Sequence, residues 1–228
     1  MYNDGGEQLT IKQVDAITQL NEKTQMPTYK DIDFSSADNM YVVLSNILLE
    51  NMPDLSLNAS KLFDSIVASL PSFPDEETEA LKIMEKERFR KIVVADIVAN
   101  WGSLDRRVAY DTIKQTLAEL NSKPFSFEYI DKSGKRTVFS SVVIASYKYI
   151  DKMGYAQVEL SSSFAPYLLA LRRNFTKWSL QTSYEFSSAN AKRLYELLVQ
   201  YRSVGTRTFT ISFFSYFCWS NACLAAVT

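Results

Sequence analysis

Arg106, Arg107 and Lys114 lie at spacings that one helix can present together, and Lys132, Lys135 and Arg136 crowd around the turn sequence DKSGKR. Grouped guanidinium and ammonium ions bind anions, and the phosphates of a nucleic acid are the anions that such a surface suits. Little else in the sequence is equipped for chemistry. There is no histidine, which removes the usual general base of nucleophilic triads and the commonest zinc ligand. Carboxylate, lysine or tyrosine chemistry remains open. The six glycines include no pair spaced as GxxxxGK[ST] or GxGxxG, so neither phosphate-cradling loop is present. Cys218 and Cys223 have neither CxxC nor metal-site spacing. The expectation is a protein that binds rather than catalyses, without catalytic residues, metal or cofactor.

The net charge of −1 hides an asymmetry. Residues 1–79 carry 14 acids against 4 bases, and residues 80–228 carry 12 acids against 21 bases. A basic body behind an acidic front points to a polyanion-binding surface, although lysines and arginines also serve simply to solvate a surface. Length and composition, 46% hydrophobic and 22% charged, are those of a folded globular protein with a sizeable core. The start, MYNDGGEQLTIKQ, is polar and carries no hydrophobic signal segment, so the expected compartment is the cytoplasm.

The elements that must position the basic residues follow from periodicity. Residues 1–39 read as a polar arm, with a short helix possible at Gln8 to Leu20. MYVVLSNILL, Met40 to Leu49, reads as a buried helix, and Ser60 opens another, SKLFDSIVASL. After PSFPDEE come the helical EALKIMEKERFRK and a short apolar KIVV. VADIVANW then suits a short helix, Gly102 and Ser103 a tight turn, and LDRRVAYDTIKQTLAEL a longer helix. In the longer helix Leu104, Val108, Ile113, Leu117 and Leu120 can face inward, leaving Arg106, Arg107 and Lys114 nearer the outside. This is a helix-turn-helix pattern, and such pairs also occur without nucleic acid.

Phe125, Phe127 and Tyr129, then Val138, Ser140, Val142 and Ile144, alternate about DKSG as a hairpin does. The hexapeptide YIDK-x-G recurs at Tyr129 to Gly134 and at Tyr149 to Gly154, the same turn chemistry used twice. Hairpins after a helix-turn-helix make a winged helix, of class α+β. Lys132, Lys135 and Arg136 at the first tip are basic enough to touch phosphates, and a wet loop tip is charged in any case. Beyond the hairpins, SSSFAPYLLALRR carries a serine cap and a first-turn proline, and NFTKWSLQTSYEF reads as irregular. The last helix, SANAKRLYELLVQYR, is capped by Ser187 or Ser188, buries Leu194, Leu197, Leu198 and Tyr201, and stops at Gly205. Phe164, Phe175, Trp178 and Tyr195 read as core aromatics rather than base-stacking platforms.

With these residues in hand, SFAPYLLALRRNFTKWSL followed by S-x-x-x-KRLYELLVQY, behind a helix-turn-helix and a hairpin ending SSVVIA, resembles the plasmid replication initiator (Rep) proteins. The likeness runs from about Leu55 to Ile211. It implies two tandem winged-helix domains, the first for dimerisation and phosphate contacts and the second for most base reading. It implies binding of double-stranded DNA at origin repeats and at the initiator's own promoter, self-dimers, and the host initiator and replicative helicase as partners. Carried onto this sequence, it makes Arg106, Arg107, Lys114, Lys132, Lys135 and Arg136 the DNA contacts of the first domain. Lys177, Lys192 and Arg193 are further candidates, Arg193 alternatively packing near the domain junction.

On that comparison residues 40–207 form the first winged helix and 208–228 depart from the pattern. TFTI suits the start of a second domain, but SFFSYFCWSNACLAAVT is uncharged where a charged helix-turn-helix is expected, and its 17 residues fall short of the roughly 50 that a domain needs. The second winged helix is therefore expected to be missing, the tail reflecting a frame change or insertion near Ile211 to Ser212. Translation of the other two frames tests this. A membrane anchor is the alternative, disfavoured by seven Thr, Ser or Asn residues and a single leucine from 208 onward. Two other functions stay open: a dimerising protein that dampens an intact initiator, and a winged-helix transcriptional regulator.

Overall fold

The computed structural model describes residues 28–32, 37–71, 77–101, 106–131, 133–149, 153–164, 167–168 and 175–208, with the side chains of Glu77, Val98, Arg106 and Arg107 outside that description. In chain order the elements are β1 (Lys30–Asp31), a 3-10 turn (Ala37–Asn39), β2 (Tyr41–Ser45), α1 (Asn46–Glu50), α2 (Leu57–Ala68), α3 (Glu77–Glu87), β3 (Phe89–Val93), α4 (Val94–Asn100) and α5 (Arg106–Ser122). Then follow β4 (Phe125–Ile130), β5 (Arg136–Ser141), β6 (Ile144–Tyr149), β7 (Tyr155–Leu160), β8 (Phe175–Ser179), α6 (Leu180–Glu185) and α7 (Ala189–Gln200).

The core gathers around α2. Ala59, Leu62, Phe63 and Ile66 are buried, and the helix packs against β2, α5, α6 and α7. Its cap is Ser56, whose Oγ accepts the Ala59 N–H at 3.2 Å, and not the expected Ser60. Ser60 points inward, where its hydroxyl accepts from the Lys192 ammonium at 2.7 Å. Aromatic contacts extend the core outward: Phe125 meets Phe63 at 5.4 Å and Phe164 at 5.0 Å between ring centroids.

Among the described residues the strands form three sheets: a four-stranded sheet of order β1-β3-β7-β6, the pair β2-β8 and the pair β4-β5. Strand β1 runs parallel to β3, and the other pairings are antiparallel. The topology is that of a winged helix. Strand β3 precedes the helix-turn-helix of α4 and α5, and the chain returns after it to lay β7 against β3, with β6 outside β7.

Several expectations are corrected. Met40 to Leu49 is not one helix: Tyr41–Ser45 is a strand that pairs with Phe175–Ser179, Val42 opposite Trp178, and only Asn46–Glu50 is helical. The alternation about β-branched Val42 and Val43 finds its partner far along the chain, in the segment expected to be irregular. Helix α7 is capped by Ser188 as expected, but Lys192, Arg193, Glu196 and Leu197 form its buried side. Leu194 and Leu198 are exposed, the latter by 50%. Val108, expected inside, is 51% exposed on α5, and Phe175 of the expected core aromatics is 48% exposed, whereas Phe164 and Trp178 are buried.

Candidate nucleic-acid interface

Helix α5 shows two distinct faces. Ala109, Ile113, Thr116, Leu117 and Leu120 are buried, while Val108, Tyr110, Asp111, Lys114, Gln115 and Ala118 are exposed. That 3.6-residue alternation turns one mixed face outward, on which Lys114 is the base among the described side chains. Arg106 and Arg107 begin the helix, and their side chains lie outside the described residues. The preceding helix α4 ends in a buried Trp101, whose N–H bonds Ile97 O at 2.9 Å.

The first hairpin tip is held by one carboxylate. Asp131 accepts from the Ser133 N–H at 2.8 Å, the Ser133 hydroxyl at 2.6 Å and the Lys135 N–H at 3.0 Å. These bonds, led by the Ser133 hydroxyl, hold its carboxyl below the usual range. Gly134 adopts φ +77°, the left-handed conformation this turn needs. Lys135 and Arg136 are exposed at the tip, Arg136 in an ion pair with Glu128 on the neighbouring strand, and Lys132 lies outside the described residues.

This first hairpin is not the one that flanks the helix-turn-helix. It forms the separate sheet β4-β5, whereas β6–β7 joins β3 and packs along α5. By topology the wing is β6–β7, and its basic residue among the described ones is Lys148, exposed on β6 and absent from the sequence-based candidates. It stands immediately before the second copy of the repeat, in YKYIDK, a stretch read only as turn chemistry.

Lys177 is exposed on β8, and its ammonium sits over the Tyr41 ring at 4.0 Å from the centroid, in the β2-β8 sheet rather than beside α5. Lys192 cannot reach a phosphate. It is 1% exposed and ion-paired with Asp64 at 2.7 Å and with Glu196. Ser183 donates to the same Asp64 oxygen at 2.7 Å and accepts from Trp178 Nε1 at 2.9 Å. Burial pushes the Asp64 carboxyl up to about 6, with Glu196 adding to the rise against the pull of Lys192. Burial also opposes the charge on Lys192, but Asp64 and Glu196 hold its ammonium above its ordinary range. Arg193, buried beside Glu196, donates to Leu49 O, which is the structural alternative raised for it.

Among the described residues no group of histidine, cysteine, aspartate or glutamate is placed to hold a metal ion, and no helix is long and apolar enough to cross a membrane.

Residues 41–199 match the family model described as Initiator Replication protein, WH1. Among solved structures, the Pi initiator protein in complex with iteron DNA is similar, with a TM-score of 0.58 and 20% identity over 72% of this chain and 65% of that one. The WH1 domain of a replication protein isolated from a multiple sclerosis patient gives a TM-score of 0.36 at 17% identity, over 52% of this chain and 81% of that one. Domains 2 and 3 of RctB give 0.37 at 11%, over 64% and 59%. No curated protein matches the sequence. The chain thus spans slightly under two thirds of the Pi initiator's length. With the family model covering most of the chain and a winged helix built from the residues it covers, this protein belongs to the replication initiators that carry the WH1 domain.

Proposed function

We propose that the chain binds double-stranded DNA through its winged helix, at origin repeats and its own promoter, as a non-enzymatic initiator of plasmid replication acting in the cytoplasm. The observation that carries this is the outer face of α5, which exposes Lys114, set beside a hairpin that returns to β3 within a chain matching the WH1 family. That the similar Pi initiator is seen with iteron DNA supports it. Self-association and contacts with a host initiator and replicative helicase belong to the same proposal. The contacts that α5 and the wing contribute go mainly to phosphates, so their share of the binding is steep in salt and little dependent on sequence. Anisotropy of a labelled duplex, titrated from about 50 to 200 mM salt, tests this, because phosphate contacts release counterions over that range. Absence of binding at the low-salt end refutes the proposal.

A second reading, a dimerising protein that dampens an intact initiator, is favoured by the β4-β5 sheet. Ile130 and Val138 are each 67% exposed and are diagonal neighbours on its outer face. Sedimentation velocity of the chain, alone and with Val138→Lys, tests it. A monomer in both cases removes it.

A further inference from the structure

Helix α5 and strand β6 are fastened to each other at two points. At one end Asn121 Nδ2 donates to Ile144 O at 2.8 Å and to Ala145 O at 3.2 Å. At the other the Tyr110 ring meets the Tyr149 ring edge-on, 6.4 Å between centroids. The strand runs antiparallel to the helix, and the two spans agree. From Tyr110 to Asn121 the helix rises about 16 Å at 1.5 Å per residue, and from Ile144 to Tyr149 the strand covers about 16 Å at roughly 3.3 Å per residue. A register slip at either end would separate one of the two attachments.

The Tyr110 end carries more than a ring contact. Gly154, immediately before β7, has φ +72°, and the Tyr110 hydroxyl lies 3.9 Å from where a Cβ on it would stand. The carbonyl of Gly154 accepts the N–H of Val94 at 2.9 Å, and Val94 is the first residue of α4. That N–H has no partner inside its own helix. One point therefore joins the first helix of the helix-turn-helix, the second helix and the wing. Tyr110 nevertheless stays 42% exposed, so core packing does not explain its place.

We infer that Tyr110 is a positioning residue for nucleic-acid binding: its ring, packed edge-on against Tyr149 with its hydroxyl beside Gly154, fixes the angle between helix α5 and the β6–β7 wing so that both reach the same duplex. The inference rests on the proposed DNA binding. When Tyr110 is cut to alanine the wing stays attached through β3 and Asn121 but swings relative to α5, and it no longer reaches its phosphates.

The test uses the full chain with Tyr110→Ala and Tyr110→Phe. In duplex titrations Tyr110→Ala is expected to weaken binding by about tenfold and to lower the slope of log Kd against log salt by about 1 for each phosphate that the wing releases, while Tyr110→Phe, which keeps the ring, behaves as the parent. Amide exchange at Val94, followed by NMR, reads the joint without DNA, and it is expected to speed up in Tyr110→Ala alone. If the alanine variant does not fold, Tyr110→Leu takes its place. A parent that binds and an alanine variant with the same affinity and salt slope overturn the inference. A parent that does not bind refutes the proposed function instead. The Val94 exchange rate then decides the joint, an unchanged rate overturning it.

Discussion

The Lys192 ammonium lies 2.7 Å from the Asp64 carboxylate, and both groups are sealed from solvent. One helix, α7, is thereby fastened to another, α2, through buried charge, with Glu196 and Ser60 sharing the same ammonium. A buried ion pair contributes little net stability against an apolar replacement, but removing one partner strands the other. Lys192→Ala leaves the buried Asp64 carboxylate without its ammonium, and Glu196 with Arg193 as its remaining cation. It is expected to cost about 3–5 kcal/mol, measured by urea unfolding. The loss of any DNA binding follows only from unfolding: below the unfolding transition the variant keeps the parent's affinity.

The same cluster sets a pH dependence. One ammonium faces two carboxylates in a desolvated site, and Asp64 is the group whose pKa rises, to about 6 from 3.8. A carboxyl with a raised folded pKa binds its proton more tightly in the native state. Its contribution therefore favours folding as pH falls through 6 toward 4 and opposes it above 6. Asp64→Asn is expected to flatten the stability profile in that interval by up to about 1.4 kcal/mol per pH unit, one proton's worth. Unfolding curves for both proteins at half-unit steps from pH 4.5 to 7.5 check this, and parallel profiles would sink it.

Glu119 shows the opposite sign. Its carboxylate accepts from the Ser56 N–H at 2.8 Å and the Ser56 hydroxyl at 2.6 Å, with Lys123 at 2.9 Å, and so ties α5 to the capping residue of α2. Partial burial opposes the charge, but the bonds from Ser56 and Lys123 outweigh it and hold the carboxyl below its usual range. The stabilisation is present above the ordinary value of 4.5 and is lost as pH falls through the lower folded one. Glu119→Gln is expected to cost about 1–2 kcal/mol near pH 7, the worth of charge-assisted hydrogen bonds, and much less near pH 3. Thermal midpoints at the two pH values measure the difference.

Local signals made much of this fold legible. The VADIVANW helix, the longer α5, the DKSG turn with Gly134 at positive φ, the Ser188 cap and the stop at Gly205 are written within a few residues of where they act. Pairings between distant segments were not. Val42 is a strand residue because Trp178 lies opposite, and no pattern around Met40 reveals that partner. Lys192 and Glu196 look like the solvated side of an amphipathic helix until Asp64, over a hundred residues away, supplies a buried counter-charge. Which hairpin is the wing depends on which one returns to β3, and two hairpins with the same YIDK-x-G turn do not differ in that respect locally. The basic residues were visible, but their distribution over one helix, two sheets and the core was not.

That distribution separates two exposed lysines. Lys114 stands on the outer face of α5, and Lys177 lies over Tyr41 on the β2-β8 sheet. If the helix-turn-helix face meets DNA, Lys114→Ala removes a phosphate contact, weakens binding alike on every sequence and lowers the salt slope by about 1. Lys177→Ala is expected to leave both quantities unchanged, because its cation–π partner belongs to an element with no part in that face. Titrations of each variant on two duplexes of unrelated sequence distinguish the cases. Equal losses from both substitutions would place the DNA across the β2-β8 sheet as well, and a loss from Lys177→Ala alone would move the interface off α5 altogether.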